Sequence, residues 1–251
     1  MTFHHLEDTL VEEREEDLEA YLKVFSNLRD PTKTVLGYTL DIGSYLKSLN
    51  LEDSYLVFGG YAVLSHMMNT FGESIAPMWR GSVDIDMAGT PRVLTALKSG
   101  YDMKSDLLSP NISEKRTLKL VEDHEPECKI DFYVGDYSKK YSIPETNFHF
   151  GIPLRVASPL ALIKSKLNTP KNEMIHSYDI LTLLTVLERL GKTPEEVLHF
   201  FSINDQIGDL NERVKDGLTE YADDRLGVFP SDQFIKQLKN GLHKHRPIPL
   251  T

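Results

Sequence analysis

The chain has 251 residues, a length that allows one large domain or two small ones, each with a hydrophobic core. Apolar residues make up 40% of the sequence and charged residues 26%, which is ordinary globular composition, and a single cysteine excludes a disulfide framework and a cysteine-based zinc site. No apolar run approaches the roughly 18–20 residues of a membrane span. The first residues show no secretory leader, so we expect a cytoplasmic protein without a membrane partner.

The net charge of −10 is concentrated at the N-terminus. Residues 1–20 hold eight acids and one arginine, whereas the other 231 residues hold 30 acids and 27 bases. An acidic balance argues against a dedicated, tight nucleic-acid binder, but it leaves room for a nucleic-acid substrate that meets a local basic surface. The acidic run is interpreted as a solvated helix face or, alternatively, as a surface for a basic partner.

Helical periodicity marks both ends of the chain, and strand-like runs fill the middle. Helices are predicted at 18–28, 33–49, 62–70, 90–98 and 172–190, with further helix starts at Ser158-Pro159 and Thr193-Pro194. Strands are predicted at 55–58, 83–87, 117–121, 129–134 and 148–156. The pattern predicts an α+β protein with a small mixed β-sheet. Residues 1–157 hold this sheet and the N-terminal helices, and residues 158–251 form a helical C-terminal domain.

Two aspartates share one face of the strand predicted at 83–87. Side chains alternate across a strand, so Asp84 and Asp86 face one way while Val83, Ile85 and Met87 face the other. Aspartate is depleted in strands, and two like charges side by side repel. A divalent cation between them is the simplest compensation, and hard oxygen ligands suit Mg²⁺ or Mn²⁺. The alternative is the solvated face of an edge strand.

The strand predicted at 129–134 repeats this pattern. Ile130, Phe132 and Val134 share one face, and Asp131 lies on the other face together with Tyr133. If the two strands are neighbours, Asp131 completes a cluster of three carboxylates. Such a cluster can hold two metal ions for in-line phosphoryl or nucleotidyl transfer. Otherwise Asp131 is another solvated strand residue.

A Gly59-Gly60 pair joins the first predicted strand to a helix. Glycine lets backbone N–H groups approach phosphate oxygens, and the start of a helix favours an anion. Most Gly-Gly pairs are only turns, but this one comes one helix before the Asp-x-Asp strand. Arg80 and Ser82 offer further phosphate contacts. Alternatively, Arg80 forms a salt bridge that only sets the loop, and Ser82 is simply a small residue ahead of a strand.

Together, Phe58-Gly59-Gly60, Asp84-Ile85-Asp86 and Asp131 resemble the nucleotidyltransferase fold of the DNA polymerase β type. That family has an apolar strand, Gly-Gly or Gly-Ser, a helix, Asp-x-Asp and a third acid on a later strand. Arg80 lies four residues before the first aspartate, Asp84. This spacing is similar to that of the AbiEii-type branch, which includes toxins of toxin–antitoxin systems. Lincosamide-type antibiotic nucleotidyltransferases show a similar pattern.

The same branch carries a lysine on a helix after the sheet and an aspartate on the next helix. Lys166 matches the lysine, with Lys164 as its competitor, and Asp179 matches the aspartate. The family often has an arginine and a second aspartate in this region, where this chain has Lys171 and His176. The resemblance covers residues 55–190.

The resemblance implies a nucleotidyltransferase that moves an NMP from an NTP such as ATP to an acceptor hydroxyl. Two Mg²⁺ or Mn²⁺ ions would be held by Asp84, Asp86 and Asp131. The nucleotide would be bound by Gly59, Gly60, Arg80, Ser82, Lys166 and Asp179, with Asp179 holding either Lys166 or the sugar. The expected acceptor is tRNA or another RNA, with an antitoxin as partner. The alternatives are a protein hydroxyl, a small-molecule antibiotic, or a module that binds nucleotide without catalysis.

Overall fold

The computed structural model describes residues 15–101, 103–107, 115–122, 125–135, 144–169, 174–203, 205–220 and 229–244. The chain divides into two compact units, Met1–Ser158 and Pro159–Thr251. Within the described ranges, no helix combines the length and the apolar character needed to cross a membrane.

A seven-stranded mixed sheet forms the centre of the first unit. Its strands are β1 (Tyr55–Phe58), β2 (Asp84–Gly89), β3 (Met103–Leu107), β4 (Lys115–Glu122), β5 (Glu125–Val134), β6 (Glu145–His149) and β7 (Ile152–Val156). They lie in the order β3-β4-β5-β2-β1-β7-β6. The pairs β2–β5 and β1–β7 are parallel, and the other neighbours are antiparallel. The predicted α+β class with a mixed sheet is confirmed.

Helices cover one face of this sheet. The first unit contains α1 (Glu15–Ser26), α2 (Thr32–Ser48), α3 (Gly59–Phe71) and α4 (Pro91–Gly100), with short 3₁₀ turns at Glu52–Ser54 and Glu73–Met78. The covered face is fully buried and includes Val57, Ile85, Met87, Ile130 and Phe132. Gly43 of α2 packs so closely on Leu154 of β7 that a Cβ at this glycine would overlap the leucine. This apolar layer is the hydrophobic core of the first unit, and it fixes the strands that also carry the opposite face of the sheet.

The second unit is helical. It contains α5 (Pro159–Leu167), α6 (Met174–Arg189), α7 (Pro194–Ile203), α8 (Ile207–Glu220) and α9 (Asp232–Lys244). The start of α7 is a capping box. The backbone N–H of Glu196 donates to Thr193 Oγ1 at 3.2 Å, and the backbone N–H of Thr193 donates to Glu196 Oε2 at 2.8 Å. The predicted helix start at Thr193-Pro194 is therefore confirmed by the contacts that explain it.

Two strand predictions are wrong. The single strand predicted at 148–156 is a hairpin of β6 and β7, because Phe150 and Gly151 both have positive φ, 50° and 77°, and reverse the chain. Two positive-φ residues are typical of the tightest hairpin turns, but phenylalanine gives little sequence signal for such a turn. Val83 lies outside β2 and is 70% exposed instead of sharing the buried face of Ile85. In addition, β3 was not predicted.

A buried polar network lies between α3 and β6. Ser65 Oγ lies 2.7 Å from His149 Nε2, and Asn147 Nδ2 donates to Ser65 Oγ at 3.0 Å. His66 Nε2 donates to the backbone carbonyl of Ala157 at 2.8 Å. Burial lowers the pKa of His66 to about 4 and that of His149 to about 3. Both imidazoles are therefore neutral in the folded protein at neutral pH.

We predict that the free energy of unfolding falls as the pH drops below 6.5. The unfolded chain takes up protons at these histidines near pH 6.5, but the folded protein takes them up only near pH 4 and 3. The stability that these two neutral histidines contribute is therefore present above pH 6.5. Below it, each histidine lowers the free energy of unfolding by about 1.4 kcal/mol per pH unit. Urea unfolding between pH 5 and 8 measures this slope.

His66→Gln should make that slope shallower, because one of the two buried proton acceptors is removed. His199→Gln is the matched control, since His199 is exposed on α7 and should leave the slope unchanged. A slope that is equal in His66→Gln and in the parent protein would contradict the prediction.

Candidate functional site

Strand pairing brings the three predicted acids onto one face of the sheet. In the parallel pair β2–β5, Asp86 lies opposite Asp131 and Asp84 lies opposite Lys129. Residues opposite one another on neighbouring strands point to the same side, and so do residues two apart on one strand. The condition for a three-acid cluster, namely that the two strands are neighbours, is therefore met. The ligand of these acids remains a prediction.

The Gly59-Gly60 turn lies directly against these acids. Because β1 is antiparallel to β2, Phe58 lies opposite Asp86, and the chain turns immediately afterwards into α3. Gly59 has a φ of 69°, and a Cβ there would overlap the Asp86 carboxylate. A Cβ at Gly60 would lie 3.0 Å from Ser82 Oγ. Only glycine allows the backbone to approach the acid this closely.

Arg80 and Ser82 line the same turn and also hold the loop that precedes β2. Ser82 Oγ donates to the backbone carbonyl of Asp84 at 3.1 Å. Arg80 Nη1 donates to the carbonyl of Gly81 at 2.5 Å, and its guanidinium lies 5.2 Å from the centre of the Trp79 ring. These contacts give both residues a structural role. Their phosphate contacts remain predictions.

Sequence reasoning missed one residue of this cluster, Lys129. Its Nζ lies 3.0 Å from Asp131 Oδ1 and 3.8 Å from Asp84 Oδ2. The available signal was its position two residues before Asp131, since alternation puts both on one face of β5. Asp131 is buried, whereas the Lys129 side chain is 44% exposed. The acid site therefore contains a positive charge of its own.

The donor chemistry of the site suits a hard divalent cation. The carboxylates of Asp84, Asp86 and Asp131 lie on adjacent strands, and Mg²⁺ and Mn²⁺ prefer such oxygen ligands. Across the part of the chain that the structure describes, no group of three or more His, Cys, Asp and Glu side chains stands ready to hold a metal ion. The Lys129 ammonium group instead contacts the two acids Asp84 and Asp131. The residue types thus fit the ion, with a lysine as the present counter-charge.

The remaining two predicted residues lie in the second unit and contact each other. Lys166 Nζ of α5 donates to Asp179 Oδ2 of α6 at 2.6 Å, and both side chains are buried. This is one of the two contacts expected of Asp179. A role for either residue in nucleotide binding remains a prediction, and Lys171 lies outside the described residues.

Solved structures that resemble this chain include a nucleotidyltransferase-like protein and a polyadenylate synthase, both at low sequence identity. No protein-family model matches the chain, and no curated protein matches it. The crystal structure of an antigenic nucleotidyltransferase-like protein from Paracoccidioides brasiliensis is 15% identical, with 79% of this chain and 95% of that chain covered and a TM-score of 0.43. The Megavirus polyadenylate synthase is 12% identical, with 80% of this chain and 41% of that chain covered and a TM-score of 0.32. The functional argument therefore depends on the geometry of the site.

We predict that Gly59→Ala destabilises the protein more than Gly72→Ala does. Both glycines have positive φ, but a Cβ at Gly72 meets nothing within 4 Å, whereas one at Gly59 overlaps Asp86. Gly72→Ala should cost about 1 kcal/mol from backbone strain, and Gly59→Ala about 1–3 kcal/mol more. Urea unfolding measures both. When Asp86→Gly is already present, adding Gly59→Ala should cost no more than Gly72→Ala does in the parent protein. Equal costs of the two single variants, Gly59→Ala and Gly72→Ala, would refute the predicted overlap.

We also predict that the Lys166–Asp179 pair behaves as a buried ion pair. Lys166→Met leaves the buried Asp179 carboxylate without its ammonium partner, which should lower the free energy of unfolding by about 3–5 kcal/mol. Lys166→Met with Asp179→Leu should recover most of that loss. The matched control is Lys192→Met, which removes an exposed pair with Glu196 and should cost at most about 1 kcal/mol. A loss in Lys166→Met no larger than in this control would show that the pair is not essential to the second unit.

Proposed function

We propose that the chain is a metal-dependent nucleotidyltransferase of the DNA polymerase β type, which moves an NMP from an NTP to an acceptor hydroxyl. The observation that supports this most directly is the meeting of two features on one sheet face. Asp84, Asp86 and Asp131 lie together, and the Gly59 turn packs against Asp86. Nucleotidyl transfer needs acids that can hold metal ions and, beside them, a backbone turn at a helix start that can bind phosphate.

The Gly59-Gly60 turn supplies the phosphate contacts in this proposal. α3 begins at Gly59, and the first N–H groups of a helix have no partner within the helix. These N–H groups and the helix dipole favour an anion at this end. Arg80 and Ser82 line Gly60 and add a guanidinium and a hydroxyl. The triphosphate would bind here and be oriented towards the acids.

The three acids organise the reacting atoms. Asp84, Asp86 and Asp131 would hold divalent ions, which when bound polarise phosphate oxygens and neutralise the charge that develops during transfer. Asp131 accepts the proton of the acceptor hydroxyl. The hydroxyl oxygen then forms a bond to the α-phosphorus as the bond to the β-phosphate oxygen breaks, and pyrophosphate leaves. Arg80 and the turn N–H groups stabilise the charge on the pyrophosphate.

Lys166 and Asp179 take part in the proposal through the resemblance alone. Lys166 would bind the triphosphate, and Asp179 would hold its ammonium group. The 2.6 Å contact between them supports the second of these roles. For the acceptor we propose RNA, in particular tRNA, with an antitoxin as the protein partner. This choice follows the resemblance of the Arg80 motif to the AbiEii-type branch.

We predict that nucleotide transfer depends on the two strand acids. The protein is incubated with cell extract, Mn²⁺ or Mg²⁺ and each α-³²P-labelled NTP in turn. Asp84→Asn and Asp86→Asn keep the side-chain shape but remove the charge, so labelling should fall by about 100-fold or more. Asp53→Asn is the matched control, because Asp53 is an exposed aspartate of the same unit.

The labelled product identifies the acceptor. Label in RNA supports the proposed acceptor, and label in protein or in a small molecule replaces it while leaving the chemistry in place. NTP binding without transfer would favour a non-catalytic nucleotide-binding module. Full activity in Asp84→Asn would overturn the mechanism.

A further inference from the structure

Lys129 is held in the acid site by the register of the sheet. It lies opposite Asp84 across the β2–β5 pair and two residues before Asp131 on its own strand. Its side chain therefore shares the face of the acids for as long as β5 keeps its alternation. The position is thus set by backbone pairing, and the two ion-pair distances, 3.0 Å to Asp131 and 3.8 Å to Asp84, follow from it.

The charge balance of the site shows what this lysine does. Three carboxylates share the face, and the side chain of Asp131 is only 8% exposed. A buried carboxylate without a compensating partner is strongly unfavourable. The Lys129 ammonium group contacts Asp131 at hydrogen-bonding distance and contacts Asp84 as well. It therefore offsets the negative charge that the acids concentrate there.

The two partners differ in their freedom to move. Asp131 is buried, whereas Lys129 is partly exposed and carries its charge on a flexible four-carbon stem. An ion that binds Asp131 and Asp84 would share with Lys129 the two carboxylates that the lysine now contacts, and its charge repels the ammonium group. Lys129 can turn towards solvent at small cost, but Asp131 cannot follow it.

We propose that Lys129 is the resident counter-ion of the acid site, which positions Asp131 and Asp84 in the metal-free protein and competes with the incoming divalent ion. It is a positioning residue, because it acts through the two acids. The inference depends on the proposed function only for the nature of the ion. It adds that a charge built into the chain weakens metal binding and offsets the repulsion between the acids in the absence of an ion.

The test measures Mn²⁺ binding by calorimetry without nucleotide, alongside the thermal unfolding of the metal-free protein. Lys129→Met keeps the length of the side chain and removes its charge. We expect Mn²⁺ affinity to rise by about tenfold, the metal-free unfolding temperature to fall, and saturating Mn²⁺ to close that gap. Lys129→Gln should behave in the same way. Lys129→Arg should keep the parent values for both measurements.

Lys236→Met is the matched control, because it removes an exposed lysine from α9 and should change neither measurement. Unchanged or weaker Mn²⁺ binding in Lys129→Met would overturn the inference and leave the proposed metal site in place. If neither the parent protein nor Lys129→Met binds Mn²⁺, the metal-dependent function itself is overturned. The proposed competition between Lys129 and the ion is then overturned as well. The two failures are therefore distinguishable.

Discussion

The parallel register between β2 and β5 is the constraint on which the acid site depends. It puts Asp86 opposite Asp131 and Asp84 opposite Lys129, so that four charged side chains from two strands share one face. A shift of the pairing by one residue would move Asp131 to the buried face, where Ile130 and Phe132 now lie. The apolar core therefore selects the register, and the register selects the composition of the site.

Concentrating three carboxylates on a rigid face is unfavourable in itself, and the surrounding structure compensates in distinct ways. Lys129 supplies a positive charge at 3.0 Å from Asp131. The positive end of α3 begins at Gly59, where the backbone lies against Asp86. Both sources of positive potential belong to the chain itself.

Alternation and local chemistry made a large part of this arrangement predictable from the sequence. The shared face of Asp84 and Asp86, the glycine turn and the capping box at Thr193 all depend on residues close together in the chain. Strand order and register depend on residues far apart in the chain. From the sequence, Asp131 could be placed with Asp84 and Asp86 only if the two strands were neighbours, and Lys129 was not predicted at all. The Phe150-Gly151 reversal was missed for a different reason, because phenylalanine is rare at positive φ.

The two faces of the sheet differ in how ionisable groups are accommodated. On the covered face, burial keeps His66 and His149 neutral, and hydrogen bonds from Asn147 and Ser65 satisfy polar atoms that water cannot reach. On the other face, charge is retained because partners of opposite sign lie next to it. Side chains alternate along each strand, so every residue that points into the core makes its two neighbours point to the other face. The direction of the acid side chains is thus a consequence of core packing on the other face of the same strands.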